Sequence, residues 1–411
     1  MEINNNIYTV NGVDLLQLVS KYEAPLYVYD TAKIESQYHR LLGAFKNANV
    51  KLNYACKALS NINIIKFIGK LGAGLDTVSV QEVELALLAE ITPEDIMYTP
   101  NGVSMEEIHK VVAKGVHINI DNLNVLDEFG RQYKNSKPIS VRINPHIMAG
   151  GNLKISTGHK DSKFGISVEQ IEDIKAIVDK HKLNVVGLHM HTGSDILDIE
   201  AFIKGANVLF NIAKQFDNLD FIDLGSGFKV PYKEGDVVTD IELLGQKLSE
   251  KFNAFCKSYG KQLTLKFEPG KFLVSEAGYF LTKVNTIKKT PSTVFAGLDT
   301  GQNHLIRPMF YGAHHDIVNI SNSKGNTKEY SVVGYICETD TFAWNREISE
   351  IKAGDILCFK NAGAYCFMMS SNYNSRFRPA EVMIHNGKDY LIRKRETLED
   401  LLRNQVQNVE F

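Results

Sequence analysis

From about residue 51 to residue 270 the chain alternates short apolar runs with longer stretches whose apolar residues recur every three or four positions. Eight short runs read as strands: Lys51–Lys57, Gly74–Ser79, Ile96–Pro100, His117–Asp121, Ile139–Asn144, Val185–His191, Phe221–Gly225 and Thr264–Glu268. Between them, Val80–Glu90, Ser104–Ala113 and Val168–Val178 have the spacing of amphipathic helices, one face for the core and one for water. Eightfold strand–helix alternation predicts a (β/α)8 barrel of the TIM type. An open doubly wound sheet is the rival, because closure leaves no mark in a sequence.

Past residue 275 the texture changes. Tyr279–Ile287, Tyr330–Cys337, Ile356–Phe359, Glu381–His385 and Asp389–Arg393 are β-like, their turns are rich in Gly, Asn and Ser, and long helical patterns are absent. The reading is an α/β barrel over residues 26–275 and a mostly-β C-terminal domain over 276–411. The first 25 residues, with a short strand at Ile7–Val10, are expected to join the second domain. Asn319–Glu329 reads as an exposed polar turn.

Composition narrows the function classes. A chain of 411 residues exceeds the usual single-core size, which favours two domains. A formal net charge of -2 gives no general attraction to nucleic acid or to an anionic membrane. The N-terminus lacks the pattern of a signal peptide, and no run of about 18 apolar residues predicts a membrane span. Cys56, Cys256, Cys337, Cys358 and Cys366 are odd in number and scattered, and they form no Cys-x-x-Cys pair. Free thiols in a reducing cytoplasm fit them better than disulfides or a zinc site.

In such a barrel, the C-terminal strand ends build the active site. Those ends carry Lys57, Asp76, Asn101, Asn122, Arg142 with Asn144, His191, Gly225 with Gly227, and Glu268. A lysine taken alone is a solvated strand end. In a barrel mouth it is desolvated, its ammonium pKa falls, and the free amine forms a Schiff base. Gly225-Ser226-Gly227 lets backbone N–H groups approach a phosphate, and Ser194 adds a hydroxyl to the same site. Glu268 is placed to pair with a pyridinium nitrogen, with Asp76 orienting it, although either acid alone reads more readily as a cap or a structural ion pair. His189 and His191, two apart on a strand, would face one side and suit a metal. No accompanying ligand set is visible at the other strand ends, and a metal leaves Lys57 without a role. The reading is therefore no metal, with one imidazole packing against a cofactor ring.

Six stretches, in this order and spacing, resemble one family: YACKALSN (54–61), GLDTVSVQEVELA (74–86), SKFG (162–165), GLHMHTGSDI (187–196), FEPGKFLV (267–274) and GAYCFMMSSNYNSRFRPAEV (363–382). From Pro25 to Val382 the chain resembles the fold-type III (alanine racemase-like) decarboxylases that use pyridoxal 5'-phosphate, and within them the diaminopimelate-specific branch. The resemblance implies decarboxylation of meso-diaminopimelate to L-lysine, the last step of lysine biosynthesis, through an external aldimine. Decarboxylation of ornithine, arginine or carboxynorspermidine is the alternative on the same fold, and a racemase the more distant one. By resemblance, Lys57 is the Schiff-base lysine, His191 stacks on the cofactor ring, and Glu268 pairs with its nitrogen, with Asp76 nearby. Ser194, Gly225, Gly227, Gly270 and Tyr365 form the phosphate set, which Lys271 borders. Lys271, Arg307, Tyr311, Glu338 and Tyr365 bind substrate. Cys337 protonates the α-carbon, a task for which Lys57 is the other candidate. The family forms homodimers in which the Cys337–Glu338 pair reaches the partner's site.

Three departures stand out. The glycine turn has Ser226 at its centre, the family's EPGR is EPGK with Lys271 last, and the Cys-Glu motif is one residue shorter, as Cys337-Glu338-Thr339-Asp340. Lysine keeps the arginine's charge but loses its bidentate fork. A polar stretch from Ala149–Asn152 to Lys163 is expected to act as a lid.

Overall fold

A computed structural model describes residues 1–4, 6–147 and 158–406. Residues 148–157, which hold most of the expected lid, lie outside the described residues. The chain divides into two compact units, one of Glu35–Pro231 with Val237–Leu273, the other of Met1–Ile34 with Tyr232–Asp236 and Val274–Phe411.

The first unit is the barrel. Its strands are β1 (Val50–Ala55), β2 (Gly74–Thr77), β3 (Ile96–Tyr98), β4 (His117–Ile120), β5 (Pro138–Asn144), β6 (Asn184–His189), β7 (Phe221–Asp223) and β8 (Thr264–Phe267). Each pairs in parallel with the next, and β8 returns to β1 with Leu265 opposite Val50, so the ring closes and the open-sheet alternative is excluded. Strands in such a ring are buried on both faces, which is why β2 and β3 are buried at every position. The helices start where polar side chains can accept orphan backbone N–H groups. Ser79 accepts from Glu82, Ser104 from Glu107, Asn122 from Asn124 and Val125, and Asp240 from Leu243. Each such cap is worth about 1 kcal/mol.

All eight expected strands are present, but several end earlier than the sequence suggests. β1 stops at Ala55, and Lys57 sits in a 3-10 turn over Cys56–Ala58. β6 stops at His189 and β7 at Asp223, so His191 and Gly225 lie on the turns beyond. The ladder continues past these ends as single bonds. Ala55 N donates to Pro269 O (3.1 Å), Met190 N to Asp223 O (2.9 Å) and Leu224 N to Lys266 O (3.1 Å). Below the strand ends, Met97, Val186 and Phe221 pack together.

The second unit is mostly β. Its main sheet runs Thr341–Ser349, Thr327–Val333, Val294–Leu298, Gly278–Lys289, Leu26–Asp30, Ala380–His385, Lys388–Arg393, with Ile356–Phe359 pairing to Gly278–Lys289 and Ile317–Asn319 to Ile356–Phe359. Residues 26–30, which the sequence reading places at the start of the barrel domain, form a strand that it did not name. This strand instead pairs antiparallel with Gly278–Lys289 and parallel with Ala380–His385. Its run LYVYD is almost wholly buried, and apolar runs of that kind look alike in either unit. Ile7–Val10 joins this unit by packing rather than by extending the large sheet. It sits in a three-stranded sheet, and Val10, Leu15 and Leu18 pack with Leu26, Val28, Tyr279 and Val382. Asn319 and Ile320 are buried, so the exposed polar turn is narrower than Asn319–Glu329.

Candidate active site

The barrel's polar strand ends converge. Lys57 Nζ lies 3.6 Å from Asp76 Oδ2, in a pair whose aspartate is buried and whose lysine is 44% exposed. Lys57 is thus less desolvated than the sequence reading expected, and Asp76 supplies its charge environment. Burial, and then the negative charge of Glu268, push the Asp76 carboxyl up to about 6, and the Lys57 cation pulls it back.

Glu268 follows β8. Its backbone N–H donates to Gly225 O at 2.8 Å, which fastens the acid to the glycine turn. The ring of His189 donates from Nε2 to Glu268 Oε2 at 3.0 Å, with both side chains buried. Burial holds His189 well below the ordinary histidine range, so the neutral ring is the donor. Glu268 Oε1 is buried and has no hydrogen-bond partner among the described residues. Burial raises the Glu268 carboxyl, and the cations of Lys57, Arg142 and Lys266 oppose the rise. Two of these cations are themselves held by aromatic rings. Arg142 lies over Phe164 at 4.8 Å, and Lys266 over Phe221 at 3.8 Å.

The glycine turn folds closely against the turn that follows β6. Gly225 and Gly227 have φ of +65° and +108°. A Cβ on Gly225 would lie 2.5 Å from His191 Nδ1, and one on Gly227 would lie 2.1 Å from Gly193 O. Only glycine permits both the backbone and the close approach. Ser226 N donates to His191 Nδ1 at 3.3 Å, so the serine that interrupts the glycines keeps a backbone role. Burial lowers the His191 pKa, which keeps Nδ1 available as that acceptor. Ser194 sits on the adjoining turn, which Ile196 ties to Gly227 O through its N–H at 2.9 Å. Gly270 precedes the short helix Lys271–Val274, and Lys271 is ion-paired with Asp195.

A metal reading of His189 with His191 required both on one strand. The strand ends at His189, and among the described residues the metal-capable groups that come within 4.8 Å of one another are His189, Asp223 and Glu268. Asp223 is the acid the sequence reading passed over. Its Oδ1 accepts from Gly225 N at 2.9 Å, and burial together with Glu268 raises its carboxyl well above the usual range. An acid inside the apolar run FIDLG was the available signal.

The β-rich unit holds the remaining candidates. Arg307 is buried, and its Nη1 donates to Tyr232 Oη at 3.0 Å and to Ala364 O at 2.9 Å. It opens the short helix that ends at Tyr311. Tyr365 has φ of +57°, an uncommon conformation for an aromatic residue and a mark of local strain. Cys337 and Glu338 are exposed. Glu338 accepts from Tyr373 Oη and from Gln302 Nε2 (3.3 Å), and the tyrosine bond lowers its pKa. Asp340, in the shortened motif, is buried and accepts backbone N–H bonds from Gln302 (2.6 Å) and Ile336 (3.0 Å). It therefore fixes the loop that carries Cys337 and Glu338.

Pyridoxal 5'-phosphate fits the barrel site on this geometry: a lysine beside a buried acid, a buried carboxylate oxygen with no hydrogen-bond partner among the described residues, and a positive-φ glycine turn fastened to the same acid. Comparison with known proteins agrees. The family model described as "Pyridoxal-dependent decarboxylase, pyridoxal binding domain" matches residues 31–275. Diaminopimelate decarboxylase of Methanothermobacter thermautotrophicus is 37% identical over 98% of this chain and 97% of its own length. The crystal structure of diaminopimelate decarboxylase from M. jannaschii superposes with a TM-score of 0.90 at 32% identity, covering 99% of this chain and 98% of that one. The enzyme from Helicobacter pylori, complexed with L-lysine, gives a TM-score of 0.87 at 33% identity over 95% of this chain and 98% of that one. The chain belongs to the pyridoxal-dependent decarboxylase family, in its diaminopimelate decarboxylase branch.

Proposed function

We propose that this chain decarboxylates meso-diaminopimelate to L-lysine with pyridoxal 5'-phosphate. The observation that carries the cofactor reading is Glu268, buried, with one oxygen held by His189 and the other without a partner among the described residues. The full-length relatives carry the substrate reading. When bound, the cofactor supplies a protonated pyridine that accepts the electron pair left as the carboxylate departs as carbon dioxide.

The chain's own groups do the rest. Lys57 is the covalent anchor, and Asp76 balances its charge. Glu268 would accept the ring N–H through Oε1 and so keep the ring protonated, while His189 holds the other oxygen so that the acid does not turn away. His191 covers the ring face. Gly225, Ser226, Gly227, Ser194, Gly270 and Tyr365 receive the phosphate. Arg307 pairs with the distal carboxylate of the substrate, and Tyr311 lines the same end. In a homodimer, the partner subunit's Glu338 takes the distal ammonium. The partner subunit's Cys337, or Lys57 Nζ, delivers the proton that replaces the lost carboxylate on the α-carbon. Five free cysteines fit a cytoplasmic location, and no helix among the described residues is long and apolar enough to cross a membrane.

Turnover of the purified chain with its cofactor tests the substrate assignment. We expect lysine and carbon dioxide in equal amounts from meso-diaminopimelate, and kcat/KM about 100-fold lower or less on ornithine, arginine and carboxynorspermidine, whose distal ends leave Arg307 or Glu338 unpaired. Faster turnover of any of these three would replace the assignment with that substrate.

A further inference from the structure

Lys271 stands where the family has an arginine, and its ammonium is engaged. It is buried, at 9% exposure, and is ion-paired with Asp195, which is 29% exposed. Asp195 lies on the turn that carries Ser194, one side of the expected phosphate cradle. That turn is tied to the glycine turn by Ile196 N to Gly227 O (2.9 Å) and by a bridge between Ile196 and Phe228. Thr239 Oγ1 adds a third tie, donating to Ile196 O at 2.6 Å. All of these ties reach Ile196 or its neighbour across the bridge. The other end of the turn, at Ser194 and Asp195, is held to the segment after β8 by the Lys271–Asp195 pair.

We propose that Asp195 is a positioning residue and that its pair with Lys271 is a strut that sets the Ser194 turn for phosphate binding. The proposal rests on the cofactor reading given above, and it departs from the sequence expectation on one point: Lys271 serves the cradle rather than the substrate. The physical grounds are charge and geometry. An arginine can present one edge of its fork to a neighbour and still offer a second pair of donors to a substrate carboxylate. A lysine is a single charge, and a carboxylate at contact distance leaves the pair nearly neutral. A second carboxylate gains little from approaching it. Asp195 also has φ of +59°, a backbone state that aspartate and asparagine tolerate better than most residues.

The test is a titration of pyridoxal 5'-phosphate into the full-length chain stripped of cofactor, read by absorption or by quenching of intrinsic fluorescence. Asp195→Asn keeps the size and the tolerated backbone conformation and removes the charge. We expect its Kd for the cofactor to rise about tenfold, the worth of a charge-assisted hydrogen bond. Asp195→Glu, which keeps the carboxylate, should stay within about threefold of the parent and shows that the turn still folds. At saturating cofactor, the Asn variant should keep its KM for meso-diaminopimelate within about twofold. A cofactor Kd unchanged in the Asn variant overturns the proposal. So does a fall in KM, since that is the result expected if Lys271 binds the substrate and Asp195 only competes for it. A parent chain that takes up no cofactor overturns the cofactor reading and the strut together, whereas the first two results leave the cofactor reading intact.

Discussion

The two units carry their chemistry in opposite ways. In the barrel, Asp76, His189, Asp223 and Glu268 are all buried at strand ends: Asp76 pairs with Lys57, His189 with Glu268, and Asp223 accepts from the Gly225 backbone. In the β-rich unit, Cys337 and Glu338 are exposed on a loop, and the buried group of that loop is Asp340, which only holds it in place. Charge in a low-dielectric ring is strong and expensive to disturb, so the barrel fixes reactivity. Charge on a solvated loop is weak until something covers it, which suits a group that selects a substrate on arrival. If this contrast is right, substitutions in the barrel should alter kcat and the cofactor's spectrum, and those on the loop should alter KM.

The largest effect is expected at Lys57. Lys57→Ala removes the covalent anchor, and steady-state assay should show kcat reduced by about a thousandfold or more. Normal turnover in this variant would remove the barrel's claim to the reaction. Glu268→Gln preserves shape and the contact with His189 but loses the charge that keeps the ring protonated. A fall in kcat of about 100-fold, with little change in cofactor affinity, is the expected outcome. A change confined to KM would instead place Glu268 with the substrate.

Asp76 gives a pH signature. Its carboxyl titrates near 6 in the folded chain, against an ordinary value of 3.8. Between those values the folded state holds a proton that the unfolded state has lost, so stability decreases as pH rises through that window and levels off above it. The slope for one such group approaches about 1.4 kcal/mol per pH unit. Asp76→Asn should flatten the curve of cofactor-free protein by that amount, measured by urea unfolding at a series of pH values. Parallel curves for parent and variant would mean that Asp76 is not the raised group. Asp299 and Asp340, also raised to about 6 by burial, should leave part of the slope in the variant.

The smallest effect belongs to the loop. Asp340→Asn loses one of the two oxygens that accept from Gln302 and Ile336. KM should rise about three- to fivefold with kcat nearly unchanged, since the loop is loosened rather than emptied. A kcat loss as large as that of Glu268→Gln would erase the distinction between the units.

The same contrast explains what could be read from the sequence. Barrel strands show as apolar runs with polar interruptions at their ends, so all eight strands were legible, and the candidates Lys57, Asp76 and Glu268 picked from those ends lie close together in the ring. In the β-rich unit, Val294–Leu298, Ile317–Asn319 and Thr341–Ser349 went unread. The last is the sheet-edge run TFAWNREIS, in which Trp344 is exposed and polar residues interrupt the alternation. Leu26–Asp30 also went unread as a strand, and a strand buried on both faces has the same pattern wherever it pairs. Partners were illegible throughout. Nothing local in the chain says that His189 bonds Glu268, 79 positions away, or that Lys271 meets Asp195, 76 positions back. Those contacts exist only once the ring has closed.

The most direct test is the absorption spectrum of the purified chain with pyridoxal 5'-phosphate, recorded before and after meso-diaminopimelate is added and followed by assay of lysine. The account predicts a visible band that Lys57→Ala lacks, that shifts when the substrate is added, and that is accompanied by lysine release. A chain that takes up the cofactor without such a band, or whose band is unmoved while no lysine forms, would contradict it.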